Sequence, residues 1–130
     1  MSLVNIINEL VVSDVSESVK FYEDNFGFKL EDSFGEPIVW AMVKKDNIVL
    51  MFEDYNEACN EMKNYPPKVN SSNLIMFEYS DQNSAKNLYE LLKRNNVEFF
   101  KDYTETDYGK IEFGIYDLDK NMILVSALME

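Results

Sequence analysis

Residues 10–23 (LVVSDVSESVKFYE) and 77–90 (FEYSDQNSAKNLYE) superpose without a gap at an offset of 67. A repeat constrains architecture more firmly than local propensity, because both copies must fold alike and then bury a shared kind of surface. Ser13-Asp14 matches Ser80-Asp81, and Tyr22-Glu23 matches Tyr89-Glu90. Each copy reads as an alternating strand, an S-D helix start whose aspartate can accept from the free N–H groups of the first turn, and a helix. The first helix puts Val15, Val19, Tyr22 and Phe26 on one stripe and stops at Gly27; the second does the same with Ala85, Leu88 and Leu92 and stops near Asn95-Asn96. Three strand-like runs bounded by turn residues follow each helix: 28–34, 38–44 and 48–52, then 97–103, 111–117 and 122–127. The chain is therefore βαβββ twice within a single domain. Module one spans 4–52, a linker with Pro66-Pro67 and a helical turn around 57–63 spans 53–73, and module two spans 74–130. The expected fold is α+β, two paired modules whose helices cover one face of a curved sheet while the other face closes around a cavity.

Charge and missing residue types then exclude whole classes of function. The 130 residues carry 24 Asp and Glu against 12 Lys and Arg, a net charge of −12. Nucleic acids and anionic membranes need a basic footprint, so neither is an expected partner, and a cationic one is the natural complement. There is no histidine, which removes the commonest general base and the commonest transition-metal ligand together. Cys59 is the only cysteine, so no internal disulfide can form and the expected compartment is the cytoplasm. No apolar run reaches the roughly 20 residues of a membrane span, and the N-terminus lacks a signal-peptide layout.

Three stretches, in this order and spacing, carry a family resemblance: NELVVSDVSESVKFYEDNFGF (8–28), KKDNIVLMFED (44–54) and YGKIEFGIYDLDKNMILV from Tyr108 onward. They resemble the vicinal oxygen chelate superfamily of glyoxalases, bleomycin-resistance proteins and extradiol dioxygenases, and within it the bleomycin-resistance type most. The last stretch resembles the family's YG-x-x-EF-x-x-x-DPDGN ending, but Asp117-Leu118-Asp119-Lys120-Asn121 lacks its proline and glycine. Asp117 and Asp119 are read as turn formers rather than as ion ligands. The resemblance implies the glyoxalase/bleomycin-resistance fold and a homodimer. In metal-dependent members the ligands come from the first, fourth, fifth and eighth strands. The matching positions here are Ile7, Val49, Leu74 and Leu124, all apolar. A divalent metal needs nitrogen, sulfur or carboxylate donors, so no metal and no other cofactor is expected.

Strand alternation sorts the remaining side chains, since residues two apart share a face. The cavity set is then Glu9, Val49, Met51, Met76, Phe100, Tyr108, Glu112, Tyr116 and Leu124, with Glu78, Glu98, Asp102, Gly114 and Ser126 on the same face. Trp40, placed opposite Phe113 in the repeat, is read as core. Carboxylates among aromatic and flexible apolar walls suit a bulky cation, through charge and cation–π contact. The expected function is metal-independent binding of a cationic small molecule such as a bleomycin-like antibiotic, with no catalytic residue assigned. The alternatives are a glyoxalase-like lyase or isomerase, a metal-free acid/base enzyme using Glu9 and Glu112, and an interaction module with a vestigial cavity.

Overall fold

The computed structural model of the chain describes residues 1–62 and 74–130. They fall into two compact units, Met1–Val69 and Asn70–Glu130. The first contains β1 (Asn8–Val12), α1 (Val15–Phe26), β2 (Lys29–Phe34), β3 (Trp40–Lys45), β4 (Ile48–Asp54) and α2 (Tyr55–Glu61). The second contains β5 (Leu74–Tyr79), α3 (Gln82–Arg94), β6 (Phe99–Glu105), β7 (Lys110–Tyr116) and β8 (Met122–Leu128). The fold is α+β, with one four-stranded sheet per unit, ordered β1-β4-β3-β2 and β5-β8-β7-β6. In each sheet the first strand runs parallel to the last, and the other pairs are antiparallel.

The repeated S-D pairs act as the helix starts that the sequence predicts. Asp14 Oδ1 accepts from Glu17 N at 3.1 Å, and Asp81 Oδ1 accepts from Ser84 N at 2.7 Å. Gly27, at φ 77, donates its N–H to Glu23 O at 3.1 Å and closes α1 in a left-handed conformation that a side chain disfavours. Alternation then assigns the core. Val12, Ala41, Val43, Leu50 and Phe52 are buried with Val15, Val19, Tyr22 and Phe26 of α1, and the Tyr22 and Phe52 rings lie 5.0 Å apart. In the second unit Ile111, Phe113, Ile115, Ile123, Val125 and Ala127 are buried with Ala85, Leu88 and Leu92 of α3. Each fully buried large side chain stabilises its unit by about 1.5–3 kcal/mol. The other faces of both sheets are left to other uses.

Four details depart from the sequence reading. β4 continues to Asp54, and Tyr55–Glu61 is a helix, in a stretch assigned to the linker; Asp54 Oδ2 accepts from Asn56 N at 3.0 Å and Glu57 N at 3.2 Å, so the strand leads directly into a capped helix. The rest of that linker, with Pro66-Pro67, lies outside the described residues. Trp40 is not core: Ala41 pairs with Phe52 as Phe113 pairs with Val125, so Ala41 holds the place of Phe113 and Trp40 faces away from α1. A one-residue slip reverses every face along a strand. By the same register Leu124, which pairs with Met76, matches Met51, which pairs with Glu9, rather than Val49. Finally, β6 is irregular at two places, between Phe99 and Lys101 and between Lys101 and Thr104. Each extra residue shifts the alternation, so Asp102 accepts from Tyr89 of α3 at 2.7 Å instead of facing away from that helix.

The Asp117–Asn121 segment is a turn as expected. Asp117 Oδ1 accepts from the backbone N–H groups of Asp119 and Asn121, both at 2.9 Å, and Asn121 Nδ2 donates to Asp117 Oδ2 at 2.9 Å. Lys120 takes the left-handed conformation (φ 66) in place of the glycine of the family pattern.

Candidate functional site

Residues paired across neighbouring strands share a face, so register defines rows across the sheet. In the first unit one row on the face away from α1 runs Phe34, Trp40, Glu53, Val11, and the next runs Asp32, Met42, Met51, Glu9. α2 packs against β1 and β4. Its Glu57 and Glu61 are four apart, which places both carboxylates on one side of the helix. Phe34 and Val39 are fixed by the β2–β3 turn, where Val39 N donates to Phe34 O at 2.9 Å, and Asp54 N ties that turn to the end of β4 by donating to Val39 O at 2.8 Å. Together Glu9, Phe34, Val39, Trp40, Glu53, Glu57, Glu61 and Met62 line a cavity of about 410 Å³. That lies within the range of small-molecule sites.

The cavity has a one-sided charge. Among the described lining residues four are glutamates and none is basic. Glu53 is only 7% exposed, and its carboxyl is pushed up to about 7, first by burial and then by the charges of Glu61 and Glu9. A hydrogen bond with Glu61 and the charge of Glu57 act in the same direction. Among the described residues no lysine or arginine forms an ion pair with Glu9, Glu53, Glu57 or Glu61. Two glutamates four apart on one helix face also repel each other.

The corresponding face of the second unit is built differently. Glu112, buried at 6% exposure, pairs across β7–β8 with Ser126 and receives hydrogen bonds from Lys101 Nζ at 2.7 Å and Tyr108 Oη at 3.0 Å. The Lys101 ammonium holds its carboxyl below the usual range, while Tyr108's own hydrogen bond to Glu112 raises the Tyr108 phenol. Glu78 has Lys110 at 3.5 Å, and Glu98 bonds to Lys120. The Phe100 ring lies where a Cβ on Gly114 would stand, and its centroid is 5.4 Å from that of Tyr116 with the rings tilted by 54°. Here the carboxylates already have lysines.

The residues expected from the sequence are thus divided between the two units. Glu9, Val49 and Met51 lie in the first, and Glu9 lines its cavity; Met76, Phe100, Tyr108, Glu112, Tyr116 and Leu124 lie in the second. Sequence reasoning assigns Trp40 to the core and does not reach Phe34, Glu53, Glu57 or Glu61. Period two continued from Val49 and Met51 would have reached Glu53, had the strand not been ended at Phe52. The metal site of the metal-dependent members does not fit here. Ile7, Val49, Leu74 and Leu124 carry no donor atoms, and among the described residues no group of three or more His, Cys, Asp or Glu is arranged to hold one.

Comparison with known proteins follows the fold. The sequence model described as the Glyoxalase/Bleomycin resistance protein/Dioxygenase superfamily matches residues 4–125. Among solved structures, the chain is similar to a glyoxalase/bleomycin resistance protein/dioxygenase from Nocardioides (20% identity, 100% of this chain and 87% of that one, TM-score 0.77). It is similar to TioX from Micromonospora sp. ML1 (13% identity, 97% and 99% covered, TM-score 0.74). It is also similar to a lactoylglutathione lyase from Agrobacterium tumefaciens (17% identity, 95% and 92% covered, TM-score 0.77). No curated protein matches. At these identities the solved structures establish a shared fold.

Proposed function

Because this chain belongs to the Glyoxalase/Bleomycin resistance protein/Dioxygenase superfamily, we propose that it is a metal-independent binding protein that sequesters a bulky cationic aromatic compound. A drug of the bleomycin kind is the ligand class that the resemblance supports. The positive group of the ligand enters the cavity of the first unit, and an aromatic portion lies against Trp40 and Phe34, which are direct cross-strand neighbours. The observation that carries this reading is the four-glutamate lining, in which none of the described residues is basic. The second unit supports it by contrast, since Lys101, Lys110 and Lys120 already occupy its glutamates. Stacking and cation–π contact on a tryptophan contribute about 0.5–2 kcal/mol, and each desolvated charge-assisted hydrogen bond about 1.5–3 kcal/mol.

Trp40 is the only tryptophan, so its emission reports this cavity alone. A titration with cationic aromatic compounds and their neutral isosteres, in the presence of a metal chelator, tests the proposal. Saturable quenching by the cations, weaker by roughly tenfold or more for the neutral isosteres, is the expected result. Equal binding of both sets, or binding abolished by the chelator, would refute it.

A further inference from the structure

Three of the side chains that line the first unit's cavity, Phe34, Val39 and Trp40, come from the two ends of one turn, the β2–β3 connection, and form its apolar wall. The backbone closes that turn. Val39 N donates to Phe34 O at 2.9 Å, Phe34 pairs with Trp40 across the strands, and Val39 O accepts from Asp54 N at 2.8 Å. Asp54 also caps α2, so Val39 is bonded on one side to the apolar wall and on the other to the junction that presents Glu57 and Glu61. Gly35 lies inside this turn at φ 97, in the region that favours glycine. A Cβ there would stand 2.9 Å from Pro37 O, 3.0 Å from Val39 Cγ2 and 3.2 Å from Val39 N, closer than side-chain carbons ordinarily approach. Two of those three atoms belong to Val39, so a side chain at position 35 pushes on the wall itself. Gly109 supplies the comparison: its φ of 82 is also left-handed, but a Cβ there would meet nothing within 4 Å.

We propose that Gly35 is a positioning residue of the cavity: by carrying no side chain it lets Phe34, Val39 and Trp40 stand as one apolar wall, and that wall sets the preference for an aromatic over an aliphatic cation. The proposal rests on the reading of the cavity as a cation site and adds what selects among cations. Gly35 does not itself line the cavity, so its effect passes through Val39. The glutamates attract all cations alike, since Coulomb attraction depends on charge and distance rather than on the group that bears the charge. Discrimination therefore falls to the wall, where a ring gains contact area and stacking that an alkyl chain of the same charge does not. A gap of roughly 0.5–1 Å forfeits a quarter to a half of each dispersion contact, so a small displacement of Val39 removes much of the discrimination while the charge attraction persists.

The test compares 2-phenylethylammonium with butylammonium by calorimetry on the unsubstituted chain, Gly35→Ala, Gly109→Ala and Val39→Ala, with Trp40 emission recorded before ligand is added. In Gly35→Ala the aromatic-to-aliphatic affinity ratio should fall roughly five- to tenfold, and Trp40 emission should shift. Gly109→Ala, which bears the same kind of conformational cost in the other unit, should keep both at the unsubstituted values. Val39→Ala, which keeps the turn's backbone bonds, should lower the ratio about threefold, and it decides the matter if Gly35→Ala does not fold. A loss of stability alone would weaken both amines together and leave the ratio unchanged. If neither amine binds the unsubstituted chain, the cation-site reading fails; Trp40 emission then still tests the wall, since a shift in Gly35→Ala and none in Gly109→Ala supports the positioning role and no shift overturns it. If both amines bind, but the ratio survives in Gly35→Ala and Val39→Ala or falls as far in Gly109→Ala, the cation site stands and the positioning role is overturned.

Discussion

Glu53 and Glu112 are both buried strand carboxylates, and their environments pull them in opposite directions. Burial among other glutamates raises Glu53 to about 7, whereas Lys101 and Tyr108 hold Glu112 below its usual range. Their contributions to folding consequently have opposite pH dependence. A raised carboxyl favours the folded state below its unfolded value of 4.5, and that stability is lost as pH rises through about 7. A depressed one contributes above 4.5, and its stability is lost as pH falls through the lower folded value. Glu53→Gln should therefore be more stable than the unsubstituted protein at about pH 8.5, by on the order of 2 kcal/mol, and nearly equal to it at about pH 5 in urea unfolding. Trp40 lies directly across β3–β4 from Glu53, so its emission should titrate with a midpoint of about 7 and lose that step in the variant. A flat emission profile in the unsubstituted protein would contradict the assignment. These environments were only half legible in the sequence. Alternation placed Glu9 and Glu112 on the face away from the helices, but it could not show that Lys101 would reach Glu112, because that depends on the irregularities in β6.

At the scale of the element, the cavity depends on β4 running without a loop into α2. Asp54 makes that junction, capping the helix that presents Glu57 and Glu61. Asp54→Ala should cost about 1 kcal/mol in denaturant unfolding and weaken cation binding, although Asp54 is not among the lining residues. Unchanged binding would show that α2 is not needed for the site. The helix starts and the βαβββ order were readable because the repeated S-D pairs and the apolar stripes agree with one another. Glu53-Asp54-Tyr55-Asn56 looked like linker because its polarity hides two functions, the last inward residue of a strand and a helix cap. Trp40 was misplaced for a similar reason, since the loops of the two copies differ in length and the repeat loses its register beyond the first helix.

At the scale of the molecule, the two copies of the repeated unit differ in how their carboxylates are partnered. Among the described residues, the glutamates of the first unit's cavity have no lysine partner, whereas Glu78, Glu98 and Glu112 of the second each have one. The homodimer that the family resemblance implies is a prediction, and each unit offers exposed apolar side chains for it, Ile6 and Ile7 in the first and Leu74 and Met76 in the second. Sedimentation at tens of micromolar should give a dimer, and a monomer there would count against it. The division between the units leads to the most direct test, which is the calorimetric affinity of one cationic aromatic amine at about pH 8 for the unsubstituted protein, Glu53→Gln and Glu112→Gln. Loss of a charge that contacts the ligand should weaken binding roughly 5- to 150-fold in Glu53→Gln, while Glu112→Gln, whose carboxylate is already held by Lys101 and Tyr108, should stay within about twofold. The reverse order, with Glu112→Gln weakened and Glu53→Gln unaffected, would place the cation in the second unit and contradict the account.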